Sequence, residues 1–255
     1  MSDSIDGNGP KNPSRLGRTK ALIASLSATS RVQTMAMTFD DGPHGTLTPK
    51  LLDLLGRCHI KATFFVVGKH VLAHPEVVAR AAEEGHEIGN HSWSHPDFRT
   101  MSDDGVRQQL RDAEHAIAEA TNKISTVMRP PFGSISDRQK DWILREFGYR
   151  TIMWDVDSLD WTRPGPAKIC ARITAEARPG AIVLCHDNCS ETLDAMEATL
   201  TQLSHKGCKF ATISELIDAE PSQPPAAFRA GLMRSLRMFG LPFTKAAGSR
   251  GTWAD

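Results

Sequence analysis

The chain of 255 residues carries no excess of charge of either sign, because 30 Lys and Arg balance 30 Asp and Glu. A neutral protein sets up no field that would draw it to nucleic acid or to an anionic membrane, so neither is an expected partner. No apolar run approaches the roughly 20 residues that a membrane-spanning helix needs. At this length the chain can bury a substantial core, in one large domain or two small ones.

Paired cysteines are also missing: the five cysteines are odd in number, and no two of them stand in a CxxC arrangement. A disulfide framework or a cysteine-rich zinc site would need such pairing, so we expect free thiols in a reducing compartment. The first residues resemble only a poor signal peptide, since the weakly apolar segment 21–28 is short and broken by serines. We therefore expect residues 1–31 to form a flexible lead on a cytoplasmic protein.

What is present is a regular alternation of strand-like and helix-like segments. Strands are predicted at 36–39, 62–67, 87–89, 126–128, 149–154, 181–185 and 210–212. Apolar residues recur at helical spacing between them, as at Val106, Leu110 and Ile117. This alternation predicts an α/β fold, a distorted (β/α) barrel of about seven parallel strands over residues 32–220. Residues 221–255 are predicted to form a partly helical tail.

Polar clusters follow five of the predicted strands, at the point where each strand ends. They are Asp40-Asp41 and the segments 91–96, 129–133, 155–161 and 185–187. The carboxyl ends of parallel barrel strands meet at one face, where such folds build their sites. We expect these clusters to converge.

Two of the clusters suggest a metal site. Two carboxylates in one pocket can divide labour, one binding a metal and the other taking a proton, although an Asx turn ending a strand would also explain Asp40 and Asp41. His91 and His95 are four residues apart, which suits two imidazoles on one ion. Unlike HExxH, their segment carries no glutamate, so a general base must come from elsewhere. A lone HxxxH can be structural, but convergence with the acidic pair favours a metal site.

Five segments in order, TFDDGP, HSWSHP, RPPFG, DSLDW and LCHD, resemble the motifs of the NodB-type polysaccharide deacetylases, carbohydrate esterase family four. The likeness covers residues 32–216, and the ordered set is far more specific than any single motif. Within the family, residues 157–165 and 178–187 look closest to the cytoplasmic chito-oligosaccharide deacetylases of rhizobia. The resemblance implies that 32–220 is a catalytic domain. Its expected reaction removes N-acetyl groups from N-acetylglucosamine units of chitin-type oligosaccharides, giving acetate and a free amine.

The family pattern implies one divalent metal ion held by Asp41, His91 and His95. Imidazole and carboxylate ligands suit zinc best, with cobalt or nickel as alternatives. Three protein ligands leave positions open for water and substrate, as in catalytic sites.

The same pattern implies that Asp40 is the general base and that Arg129 pairs with it and keeps it ionised. The backbone N–H of Phe132 would stabilise the oxyanion, because the two residues before it are prolines and have no N–H. His186 would be the general acid that protonates the departing amine. Asp157 would hold the other ring nitrogen of His186 and raise its pKa.

Trp161 and Leu184, together with Phe132, are the expected walls of the acetyl pocket. A loop or capping role is expected for three further acidic residues near the site: Asp155, Asp160 and Asp187. Alternatives for the substrate are peptidoglycan, a lipid-linked sugar or a small metabolite. A non-catalytic carbohydrate-binding domain is a further alternative, but it would have no need of base, ligands and acid together.

Overall fold

Eight β-strands, all paired in parallel, form the centre of the computed structural model, which describes residues 33–217. The strands are β1 Gln33–Asp40, β2 Thr63–Val66, β3 Glu87–Asn90, β4 Val127–Met128, β5 Arg150–Thr151, β6 Val156–Asp157, β7 Ile182–His186 and β8 Cys208–Phe210. Their order is β5-β4-β3-β2-β1-β7-β6, and β8 pairs with the start of β1. The sheet curls into a half-barrel, so the predicted distorted (β/α) barrel is confirmed.

Helices follow most of the strands and cover the outside of the sheet. They are α1 Leu47–Arg57, α2 Gly68–Ala73, α3 Pro75–Glu83, α4 Asp103–Thr121, α5 Asp137–Phe147, α6 Pro166–Glu176, α7 Ser190–His205 and α8 Ile213–Leu216. Of these, no helix has the length and apolar character needed to cross a bilayer. The predicted lead, residues 1–31, and the predicted tail, residues 221–255, lie outside the described residues.

The structure differs from the predicted elements in three places. The six-residue helix α2 is additional, being too short to show a helical period. Of the predicted strand 149–154 only Arg150–Thr151 is a strand, β5, and β6 is an additional strand that begins beyond the predicted range. The predicted strand 210–212 ends earlier, because the Thr212 side chain accepts a hydrogen bond from the Glu215 N–H and caps α8.

Strand β1 is buried from Met35 to its end and decides which side chains enter the barrel. Successive side chains of a strand point to opposite faces. Met35, Met37 and Phe39 pack in the main core among the helices. Thr38 and Asp40 therefore project into the half-barrel, and Asp40 does so at its carboxyl end.

The turn after β1 lies directly against the end of β7. An added Cβ at Gly42 would come 2.0 Å from Asp187 Oδ2, so a side chain has no room there. That buried carboxyl accepts a 2.6 Å hydrogen bond from Thr48 Oγ1. The Asp187 N–H in turn donates to the Asp40 carbonyl at 3.3 Å. This close approach fixes the turn that carries the acidic pair.

We expect Gly42→Ala to lower the free energy of unfolding by about 2 kcal/mol or more, because the methyl group must displace a buried hydrogen-bonded carboxyl. Gly56→Ala is the matched control, since a Cβ at this position in α1 meets no atom within 4 Å. It should raise stability by up to about 1 kcal/mol through helix propensity. Urea unfolding of both variants tests this, and equal effects at the two glycines would contradict the packing argument.

Candidate active site

Asp41, His91 and His95 bring three potential ligand atoms together at the carboxyl end of the sheet. Asp41 Oδ1 lies 3.4 Å from His91 Nε2 and 3.2 Å from His95 Nε2. This oxygen is buried and has no hydrogen-bond partner among residues 33–217. An unpartnered carboxylate oxygen that faces two imidazole nitrogens fits a divalent metal ion with borderline ligand preference, such as zinc.

The backbone explains how two adjacent aspartates serve one site. Asp40 ends β1, and its neighbour would point to the opposite face if the strand continued. Asp41 instead has a φ of 73°, in the left-handed region, which returns its carboxylate to the same cavity. Burial alone would raise the pKa of Asp41, but its interaction with His91 and the charges of His95 and His186 hold that pKa well below its usual range.

The two histidines lie on a loop after β3, and Pro96 disfavours a helical backbone at His95. His91 Nδ1 donates to the Arg129 carbonyl at 2.7 Å, which leaves the Nε2 lone pair free to bind a metal. The His95 N–H donates to Ser92 Oγ at 3.0 Å. Gln109 on α4 accepts the Ser94 N–H at 2.9 Å and holds the loop in place.

Asp40 is held by a different partner, the guanidinium of Arg129. Asp40 Oδ1 accepts from Arg129 Nη1 at 2.7 Å, and the same nitrogen donates to Thr38 Oγ1 at 2.8 Å. Arg129 is 0% exposed, and its Nε and Nη2 donate to the carbonyls of Ile152 and Met153. The other Asp40 oxygen, Oδ2, lies 3.7 Å from His91 Nε2, so it faces the three ligand atoms. Asp40 is thus oriented toward the candidate metal position while Asp41 supplies a ligand.

The carboxylate that holds His186 is Asp160, so the prediction that Asp157 binds the second ring nitrogen of His186 is wrong. His186 Nδ1 donates to Asp160 Oδ1 at 2.7 Å, and the His186 N–H donates to Asp160 Oδ2 at 2.7 Å. The Asp157 side chain is used locally, because Oδ1 accepts the Leu159 N–H at 2.8 Å. The expectation of a loop or capping role for Asp160 is therefore also wrong.

The Asp160 contact sets the charge of His186. Burial alone would lower the pKa of His186, but the hydrogen bond and charge of Asp160, together with the charges of Asp40 and Asp41, raise it to about 9. Burial would raise the pKa of Asp160, yet its bond to His186 holds that pKa below the ordinary value. At neutral pH the imidazole is protonated and the carboxylate is ionised.

These side chains open into one cavity of ≈ 430 Å³. Its lining includes nine residues predicted from the sequence: Asp40, Asp41, His91, His95, Phe132, Asp157, Trp161, Leu184 and His186. Arg129, the remaining predicted residue, is buried behind Asp40. Trp154 adds a further wall.

Two aromatic side chains stand at the mouth of this cavity, Phe132 at 70% and Trp161 at 62% exposure. Phe132 has a φ of 59° within the turn Pro131–Gly133. Its N–H donates to no backbone or side-chain acceptor in the part of the chain that the structure describes. A free N–H in such a turn is available to a ligand oxygen.

Comparisons with known proteins identify the family. The profile of the polysaccharide deacetylase family matches residues 27–152. A chitooligosaccharide deacetylase of Rhizobium leguminosarum bv. trifolii is 33% identical over 195 residues, which cover 70% of this chain and 89% of that protein. The chain belongs to the polysaccharide deacetylase family.

Other members of the family act on a different named polymer. The peptidoglycan-N-acetylglucosamine deacetylase PgdA of Listeria monocytogenes is 40% identical over 182 residues, 71% of this chain. This chain spans only 38% of the length of that relative. The solved Bc1960 peptidoglycan N-acetylglucosamine deacetylase superimposes with a TM-score of 0.73 at 31% identity, covering 76% of this chain and 92% of that one.

The partner of His186 can be tested by NMR titration of its imidazole in the metal-free protein. Asp160→Asn removes the charge that raises the pKa, so the value should fall from about 9 by roughly 1–3 pH units. Asp157→Asn should leave it near 9, because that carboxylate bonds to Leu159 instead. A larger shift in the Asp157 variant than in the Asp160 variant would overturn the assignment.

Proposed function

We propose that the protein is a metal-dependent hydrolase that removes acetyl groups from N-acetylated amino sugars of an oligosaccharide or polysaccharide, releasing acetate and a free amine. One observation carries this proposal. A single cavity brings the Asp41-His91-His95 set together with the carboxylate Asp40 and the protonated imidazole of His186. Metal-dependent amide hydrolysis can use all three kinds of group, since water must be activated and a poor amine leaving group must be protonated.

The base function falls to Asp40. Its Oδ1 is held by Arg129, so Oδ2 alone is directed toward the ligand set and can take a proton from the attacking water. When bound by Asp41, His91 and His95, a divalent ion would supply Lewis acidity to the water and the acetamide. Zinc is the ion we propose on the basis of this ligand set.

The acid function falls to His186. Asp160 occupies Nδ1, so Nε2 is the nitrogen available for donating a proton to the departing amine. The hydrogen bond and charge of Asp160 raise the pKa of His186 and favour the protonated imidazole, so activity should decline on the alkaline side once the pH passes that pKa.

The cavity has apolar residues in its wall and exposed aromatic rings at its mouth. Leu184 and Trp154 line the cavity and suit an acetyl methyl group. The exposed ring of Trp161 can pack against a sugar ring at the mouth. The N–H of Phe132 can donate to the developing oxyanion, a contact typically worth about 10²–10³ in rate.

We propose a chitin-type N-acetylglucosamine oligosaccharide as substrate, as expected from the sequence and as named for the Rhizobium relative. Peptidoglycan, named for the Listeria relative, shares the N-acetylglucosamine unit and is an equally well supported alternative. Acetate release from N-acetylglucosamine oligomers and from peptidoglycan strands, with zinc and with chelator, tests both. Chelator-sensitive release from either supports the deacetylase. No release from any acetylated sugar, with one ion bound per chain, would exclude this function.

Asp40→Asn separates the base from the ligands. The variant should bind one zinc per chain, because all three ligands remain and the amide oxygen can still accept from Arg129. Turnover should fall by about 10²–10⁴ through loss of the base. Metal content by mass spectrometry and acetate release are measured together, with Asp41→Asn as the control that should lose zinc. An active Asp40→Asn enzyme would show that another group takes the proton.

A further inference from the structure

The Asp160 carboxylate accepts a third hydrogen bond, from a residue that lies outside the five motifs. Thr192 Oγ1 donates to Asp160 Oδ2 at 2.5 Å. Thr192 is 1% exposed and stands in the first turn of α7. This hydroxyl belongs to none of the residues that the sequence indicated for the site.

The three donors together fix the carboxylate. Oδ1 receives the ring N–H of His186, while Oδ2 receives the His186 main-chain N–H and the Thr192 hydroxyl. Asp160 is 0% exposed, so no solvent molecule at the surface can take the place of a lost donor. Hydrogen bonds to the charged form favour ionisation, and bonds to both oxygens prevent rotation of the group.

Helix α7 is placed for this role by a second contact. The residue before Thr192, Glu191, accepts the Gly165 N–H at 2.7 Å through Oε2. Gly165 closes the segment that begins with the short helical turn Asp160–Thr162. Adjacent residues of α7 thus hold both ends of the Asp160 segment.

We propose that Thr192 is a positioning residue for the general acid His186. The hydroxyl of Thr192 keeps Asp160 ionised and directed at the ring of His186. The link to catalysis rests on the proposed function. The effect of Thr192 on the imidazole itself does not depend on it.

Thr192→Val is a selective test because the change is nearly isosteric and alters no charge. The charged and titratable groups that face His186 all remain: Asp160 from its turn, Asp40 and Asp41 from the end of β1, and Asp157 and His95 across the cavity. A shift in the titration of His186 would therefore report the lost hydroxyl.

Thr199 provides the matched control on the same helix. It is 0% exposed, and its Oγ1 donates to the Ala195 carbonyl at 2.7 Å, within α7. Thr199→Val removes a buried hydroxyl of the same kind without touching Asp160. Thr192→Ser restores the donor, and Thr192→Ala removes the hydroxyl without adding a methyl group if valine disturbs the packing.

The measurements are the NMR titration of His186 in metal-free protein and the pH profile of kcat/KM with zinc. Thr192→Val should lower the pKa of His186 by about one pH unit and kcat by roughly tenfold, with KM little changed. Thr192→Ser should recover both values, and Thr199→Val should change neither.

An unchanged His186 titration in Thr192→Val, or an equal shift in Thr199→Val, would overturn the proposal. A shifted titration without turnover of any acetylated sugar by the wild-type enzyme would support the role of Thr192 and exclude the proposed function.

Discussion

The ion pair between the buried Arg129 and Asp40 is the interaction on which the site depends. Arg129 Nη1 donates to Asp40, while the backbone carbonyl of Arg129 accepts the Nδ1 proton of His91. One residue at the end of β4 thus orients the proposed base and fixes the tautomer of a proposed ligand. The ion pair is almost completely buried, and truncating Asp40 to alanine would leave an uncompensated charge at a cost of about 3–5 kcal/mol.

The same constraint separates the roles of two neighbouring carboxylates. Asp40 points into the half-barrel because side chains alternate along β1, and it accepts a hydrogen bond from Arg129. Asp41 reaches the cavity only through its left-handed backbone conformation. The tight turn at Gly42 and the contact with Asp187 keep that geometry in place. Packing at the ends of β1 and β7 therefore determines which oxygen is free for a metal and which for a proton.

The sequence predicted the convergence of the site because each polar cluster follows a strand, and parallel strands share one carboxyl face. It could not separate Asp157 from Asp160, since both lie in one short segment, and the path of the backbone places one carboxylate on the Leu159 N–H and the other on His186. Leu159, between them, has a φ of 54°, and no pattern in the amino-acid sequence predicts this left-handed conformation. Thr192 was missed for a related reason: its contact depends on how α7 returns over the site.

We propose that Asp41, His91 and His95 hold one metal ion while Asp40 stays bonded to Arg129. A crystal soaked with zinc and measured by anomalous scattering tests this arrangement. We expect a single peak about 2.0–2.2 Å from Asp41 Oδ1 and the two Nε2 atoms, with the Asp40–Arg129 ion pair intact. A peak coordinated by Asp40, or no zinc at these three side chains, would contradict it.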